Sequence, residues 1–187
     1  MTDSRFESCI LLIRQGNSEG LREIYEGYFK LIFSVMLSVV GNRADAEDLT
    51  SDFFVKLWDK LADAYKSGGG HRCWLVTAAR NLARDYLRKS RRVELTLDEP
   101  NEEDVPKTEP ESGERLEESV LERIVVNEAL QTLESAEREV VNLKLFADMT
   151  FREIAKAFEM PMGTVTWRYR RAIAKLRNYY KGVQGVE

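Results

Sequence analysis

Residues Thr150 to Lys181 constrain this chain more than any other stretch, because they encode two helices, a short turn and a basic surface together. Thr150 and Glu153 have the spacing of a capping box and start a helix. Ile154, Ala155 and Phe158 give that helix one apolar face. Met160-Pro161-Met162-Gly163 ends it, since Pro161 lacks an N–H and disfavours helix at the residue before it. A second helix follows over about 163–181, with Val165, Tyr169, Ile173 and Leu176 inward. It carries six basic residues and no acidic one. Thr164, Thr166, Trp167, Arg170, Arg171 and Lys175 fall mainly on its outer side. With Arg168 they are the candidate contacts to a DNA major groove, where a helix-turn-helix places its second helix.

The remaining composition sets limits. A chain of 187 residues makes one medium domain or two small ones. The longest apolar run, Leu31 to Val40, is far short of the roughly 20 residues of a membrane span, so membrane insertion is not expected. The N-terminal stretch has Asp3, polar breaks and no small-residue cleavage site, which predicts a cytoplasmic protein. Cys9 and Cys73 are isolated thiols, expected as reduced packing residues. The net charge of −4 hides a strong segregation: residues 94–118 hold eleven acidic and two basic residues, and the rest of the chain carries +5. Segregated charge decides partners better than the total does.

The apolar periodicity predicts an all-α protein. Helices are expected over 3–14, 18–40, 44–64 and 72–90, followed by helices from about 119, from 135 to 148, and then the helix-turn-helix. In the second of these, Leu21, Ile24, Tyr25, Tyr28, Phe29, Ile32, Phe33, Met36, Leu37 and Val40 repeat at helical spacing, and Gly41 supplies a C-cap. Residues 94–118 contain three of the four prolines and cannot bury enough surface to fold alone. The expected organisation is therefore two small helical domains, 1–93 and 119–187, joined by an acidic flexible linker.

Other constellations bear on function. Arg80, Arg84, Arg88 and Arg91 form one stripe on the fourth helix, a spacing suited to a phosphate backbone. Beside it lies the glycine-rich loop Lys66 to His71, with Tyr65 before it and Trp74 after it; aromatics near a basic groove can stack on unpaired bases. A plain solvated face and a core tryptophan are the competing readings of that segment. Asp45, Glu47, Asp48 and Asp52 open the third helix, where the helix dipole favours acids. With no histidine nearby, a surface for a basic partner fits better than a metal site. The glycine loop lacks the Gly-Lys-Ser/Thr of a phosphate loop. No nucleophile–base set is evident, so neither catalysis nor a cofactor is expected.

Taken in order, DAEDLTSDFFVKLW (45–58), WLVTAARNLARDYLRKSRR (74–92) and MTFREIAKAFEMPMGTVTWRYRRA (149–172) make the chain resemble a bacterial sigma factor of the extracytoplasmic-function type. The resemblance implies binding to core RNA polymerase and promoter DNA, with control by an anti-sigma factor. It implies that Asp48, Asp52 and Lys56 dock on the polymerase clamp. It implies that the loop 65–72 and the helix 74–92 melt the minus-ten element, with Tyr65, Lys66, His71, Arg72, Arg80, Asn81, Arg84 and Arg88 at the DNA. Thr166, Trp167, Arg170 and Arg171 fall at the positions that read the minus-thirty-five element. Two features depart from the family pattern: Thr166-Trp167 stands where a basic residue and serine are common, and the loop is unusually glycine-rich. The 25 linker residues reach at most about 80 Å when extended, enough for promoter elements about 70 Å apart. Two other classes remain open at the level of sequence: a stand-alone helix-turn-helix regulator with an N-terminal ligand-binding or dimerisation domain, and a helical adaptor that binds only protein.

Overall fold

The structure is a computed structural model and describes residues 1–68, 70–96, 126 and 128–184. Helix α1 (Asp3–Arg14) starts at Thr2, whose side chain accepts the Arg5 N–H. Helix α2 (Ser18–Val40) starts at Asn17 and stops at Gly41, which takes a left-handed φ of 84° as a terminating glycine does. Helix α3 (Arg43–Lys56), capped by Asn42, runs on through a π-helical turn (Leu57–Leu61) into the short α4 (Ala62–Ala64). The sequence reading predicts one regular helix here; the π turn widens it locally. Its end is closed by Arg14, which donates to the carbonyls of Ala62 and Tyr65 at 2.8 and 3.0 Å. Helix α5 (His71–Thr96) follows. It extends past residue 93, the expected end of the first domain.

The C-terminal helices are a short stretch at 128–131, α6 (Ser135–Leu145), α7 (Phe151–Ala157) and α8 (Met162–Gln184). Helix α6 ends before the expected Asp148, which has a left-handed φ of 48° and so cannot continue a helix. No strand occurs among the described residues. The acidic tether expected at 94–118 lies, beyond Thr96, outside the described residues.

Helix α2 is the hub. It packs on α1, α3 and α5, and on its far side on α6 of the second domain. Helix α5 likewise meets α7, and α8 packs on α6 and α7. One continuous core therefore runs from Phe6, Ile24, Phe53 and Leu75 into Val140, Met149, Ile154 and Val165. Leu133, Val141 and Ala172 form a smaller cluster. The buried face of α2 is rotated from the predicted one toward Ile24, Tyr28, Leu31 and Val35. Leu31 and Val35, which the predicted set omits, are buried; each lies seven residues after Ile24 or Tyr28 and so on the same face. Tyr25, predicted inward, is 45% exposed, its ring resting on Phe29 and Phe54. Gly20 sits where α1 crosses α2: a Cβ there would lie 2.4 Å from the Cys9 carbonyl oxygen, so only glycine permits this approach.

Candidate nucleic-acid and polymerase interfaces

The helix-turn-helix is built as its residues require. The Thr150 hydroxyl accepts the Glu153 N–H at 3.2 Å, and the Glu153 carboxylate accepts the Thr150 N–H at 2.8 Å. Burial opposes ionisation of Glu153, yet its hydrogen bonds from Thr150 and the nearby Arg72 charge hold its pKa below the ordinary value. Glu159, at φ 51°, and then Pro161 turn the chain. Buried Val165 and Ala172 seat α8 on α6 and α7.

The outer face of α8 is uneven. Trp167 is 56% exposed, with the Arg171 guanidinium 5.3 Å from its ring centre. Arg170 is exposed and has no ion pair among the described residues. Thr164 and Thr166 are half-buried, the Thr166 hydroxyl donating back to Met162 and Gly163 carbonyls. Arg168 leans on the Met160 sulfur at 3.7 Å. Arg171 and Lys175 are already engaged: Arg171 lies 3.0 Å from the buried Glu137 carboxylate and Lys175 2.7 Å. Both also reach Glu134. The Glu137 hydrogen bond raises the Lys175 pKa, and Lys175 together with Arg171 lowers that of Glu134.

The minus-ten candidates separate into three groups. Tyr65 and His71, expected at the mouth of a base pocket, are instead packed in the core at 6% exposure each. His71 is hydrogen-bonded between the Tyr28 hydroxyl and Asp3 and stacks on Phe6. Its N–H to Asp3 at 3.0 Å holds that carboxylate's pKa down, while burial pushes Tyr28 up to about 12. Lys66, Asn81, Arg84 and Arg88 are exposed, the last pairing with Asp85 at 3.0 Å. Arg72 and Arg80 are turned toward the C-terminal domain. Arg72 donates to the Ala147 carbonyl at 2.6 Å. Arg80 donates to Glu139 and lies 4.1 Å above the Phe158 ring centre. The Arg91 side chain, the last of the stripe, is outside the described residues.

On α3, Asp48 and Asp52 are exposed one turn apart. With Asp45, Leu49, Ser51 and Tyr86 they line an open cleft of about 390 Å³. Lys56 pairs with Asp52 at 3.6 Å, so the surface is acidic with one cationic edge. Burial, and then the Asp45 hydrogen bond, raise the Tyr86 pKa. Sequence reasoning missed Glu139, Glu137 and Glu134. A glutamate beside Val140 reads as solvated until the partner arginine arrives from a helix about 60 residues away, which no local pattern reveals.

Residues 24–93 match the Sigma-70 region 2 family and residues 129–178 the Sigma-70, region 4 family. The RNA polymerase sigma factor NccH of Alcaligenes xylosoxydans xylosoxydans is 30% identical over 184 residues, covering 94% of this chain and 95% of NccH. The ECF RNA polymerase sigma factor BldN of Streptomyces coelicolor is 29% identical over 180 residues, covering 92% of this chain and 66% of BldN. In fold, the chain is similar to the sigma factor RpoE solved with the anti-sigma factor NepR from Bartonella quintana. That match has a TM-score of 0.68 and 24% identity, over 86% of this chain and 96% of that one. The chain belongs to the RNA polymerase sigma factors of the extracytoplasmic-function type. It is a transcription initiation factor that joins core RNA polymerase and promoter DNA. No helix among the described residues is long and apolar enough to cross a membrane.

Proposed function

We propose that this sigma factor divides its work among three surfaces and carries out no catalysis of its own. Residues 1–93 dock on polymerase and open the minus-ten element; residues 119–187 read the minus-thirty-five element; residues 94–118 are the tether. Asp48 and Asp52, with Lys56 at the edge, face the polymerase clamp through the acidic cleft on α3. Lys66, Arg72, Arg80, Asn81, Arg84 and Arg88 meet the minus-ten strand, while Tyr65 and His71 support the loop from beneath. On α8, Thr164, Thr166, Trp167 and Arg170 meet base edges and Arg168 the backbone. Arg171 and Lys175 approach DNA from the anchor that Glu137 provides. The protein acts in the cytoplasm under an anti-sigma factor, in keeping with the relative solved in complex with NepR.

The observation that carries this reading is Trp167 standing 56% exposed beside Arg170 on a helix whose opposite face is buried. A large exposed aromatic beside an exposed guanidinium on a groove-sized helix suits base-edge contact. Footprinting of the polymerase holoenzyme on a responsive promoter tests it. Loss of upstream protection in Trp167→Ala, with minus-ten protection kept, is the expected result; unchanged upstream protection would contradict it.

A further inference from the structure

We propose that α1 is a splint for the minus-ten loop: Asp3 and Arg14 are positioning residues that hold the two ends of the loop and so set where an unpaired base is captured. This rests on the reading that the loop between Tyr65 and His71 meets the minus-ten strand. Gly68, Gly69 and Gly70 follow one another in that loop, and glycine loses more conformational freedom on ordering than any other residue. Gly68 and Gly70 take φ of 88° and 81°. A segment of this composition does not fix its own position; its neighbours have to hold its ends.

One helix holds both. At the near end the Arg14 guanidinium donates to the Ala62 carbonyl at 2.8 Å and to the Tyr65 carbonyl at 3.0 Å. At the far end Asp3 accepts the His71 backbone N–H at 3.0 Å and also the His71 ring N–H. Asp3 thereby takes up one of the N–H groups that the start of α5 leaves without an intrahelical partner. One hydrogen arrangement satisfies the ring: Tyr28 donates its O–H to Nε2, and the Nδ1–H donates to Asp3. Between the two ends lies Phe6, fully buried. Its ring centre is 5.1 Å from that of Tyr65 and 5.0 Å from that of His71. Each holding bond has a charged partner, which makes it stronger than a neutral one. The bonds also fall largely on backbone atoms, so they set the path of the loop whatever side chains it carries. Arg5 has a different task on the same helix, fastening α1 to α2 through Glu23. Pre-organising the loop in this way lowers the ordering cost that base capture has to meet.

The test compares holoenzymes carrying the full chain or its variants by fluorescence anisotropy. The probe is a fluorescein-labelled single strand covering the minus-ten element of a promoter mapped with the wild type, together with its single-base variants. Asp3→Ala and Arg14→Ala should each cut the preference for the matched strand by about threefold or more, because a smaller fraction of molecules holds the loop in its capture position. Asp3→Asn keeps an amide oxygen that accepts the His71 backbone N–H, and should retain most of the preference. Affinity for core polymerase should stay at the wild-type value in all three. Arg5→Ala controls for a merely stabilising role: it breaks the pair with Glu23 and should leave the preference intact. Full preference in both Asp3→Ala and Arg14→Ala would overturn the proposal, as would an equal loss in Arg5→Ala or an Asp3→Asn variant no better than Asp3→Ala. Lys66→Glu separates the underlying reading, since it should weaken binding of every strand. If it does not, the loop does not meet the minus-ten strand and the proposal falls with that reading. If it does while the Asp3 and Arg14 variants are silent, the reading stands and the splint alone is rejected.

Discussion

The Lys175 ammonium lies 2.7 Å from the Glu137 carboxylate, whose side chain is 2% exposed, so α8 is anchored to α6 through a buried charge. Arg171 shares that carboxylate at 3.0 Å. Glu137 also accepts the Glu134 N–H at 3.2 Å, closing the capping box that starts α6. Glu137→Ala should therefore cost about 1–3 kcal/mol of stability, as expected for charged hydrogen-bond partners left unpaired. It should also weaken upstream-element recognition by loosening Arg171 and Lys175. A denaturant titration of the full chain, paired with promoter binding by holoenzyme, reads both effects.

Arg170 offers the contrast, because it is exposed and has no ion pair among the described residues. Arg170→Ala should leave the denaturation midpoint unmoved and cost about 1–3 kcal/mol per lost base contact at the upstream element. Affinity for core polymerase should not change. Equal binding of matched and mismatched upstream elements by the wild-type holoenzyme would show that α8 does not read sequence.

Among the described residues Asp48 and Asp52 make no hydrogen bond that the fold requires; the Asp52–Lys56 pair is an exposed one, worth at most about 1 kcal/mol. Charge reversal at both should lower affinity for core polymerase and leave helical content intact. A polymerase titration with the variant unchanged from wild type would move the docking surface elsewhere.

Glu153 predicts how acid acts on the molecule. Its folded pKa lies below the ordinary 4.5, because the Thr150 bonds and Arg72 outweigh the cost of burial. A lowered carboxylate stabilises the fold above its unfolded pKa, and that contribution is lost as pH falls through the folded value. Stability should therefore drop below about pH 4.5, and Glu153→Gln should flatten this decline while lowering stability at pH 7. Because Arg72 lies 4.0 Å from Glu153, acid also loosens the contact between domains. Chemical denaturation from pH 7 to pH 3 checks the slope.

Gly20→Ala should be costly although alanine is the better helix former. The added methyl would fall 2.4 Å from the Cys9 carbonyl oxygen and 2.9 Å from the Leu12 Cβ. Overpacking at such a crossing costs about 1–3 kcal/mol. An unchanged melting temperature would mean that α1 shifts freely on α2.

Local rules made much of this legible. The bounds of α1 and α2 follow from Thr2, Asn17 and Gly41, and the helix-turn-helix from its capping box and Pro161. Each signal lies within a few residues of the structure it dictates. What stayed hidden depends on partners distant in sequence. Tyr25 is 45% exposed, its ring against Phe54 of α3, because the buried face of α2 is set by the helices around it. His71 is inward because Tyr28 and Asp3 satisfy both ring nitrogens. Arg80 looked like a free phosphate contact because its carboxylate partner sits on another domain.

The most direct test is run-off transcription with purified components. The full chain is added to core polymerase and genomic DNA, and transcript 5′ ends are mapped. A sigma factor should produce discrete starts that depend on the added chain. Those starts should share two upstream elements roughly two helical turns apart, and Asp48/Asp52 charge reversal should abolish them. No polymerase-dependent transcript, together with tight dimeric binding of the chain alone to a palindromic duplex, would contradict it.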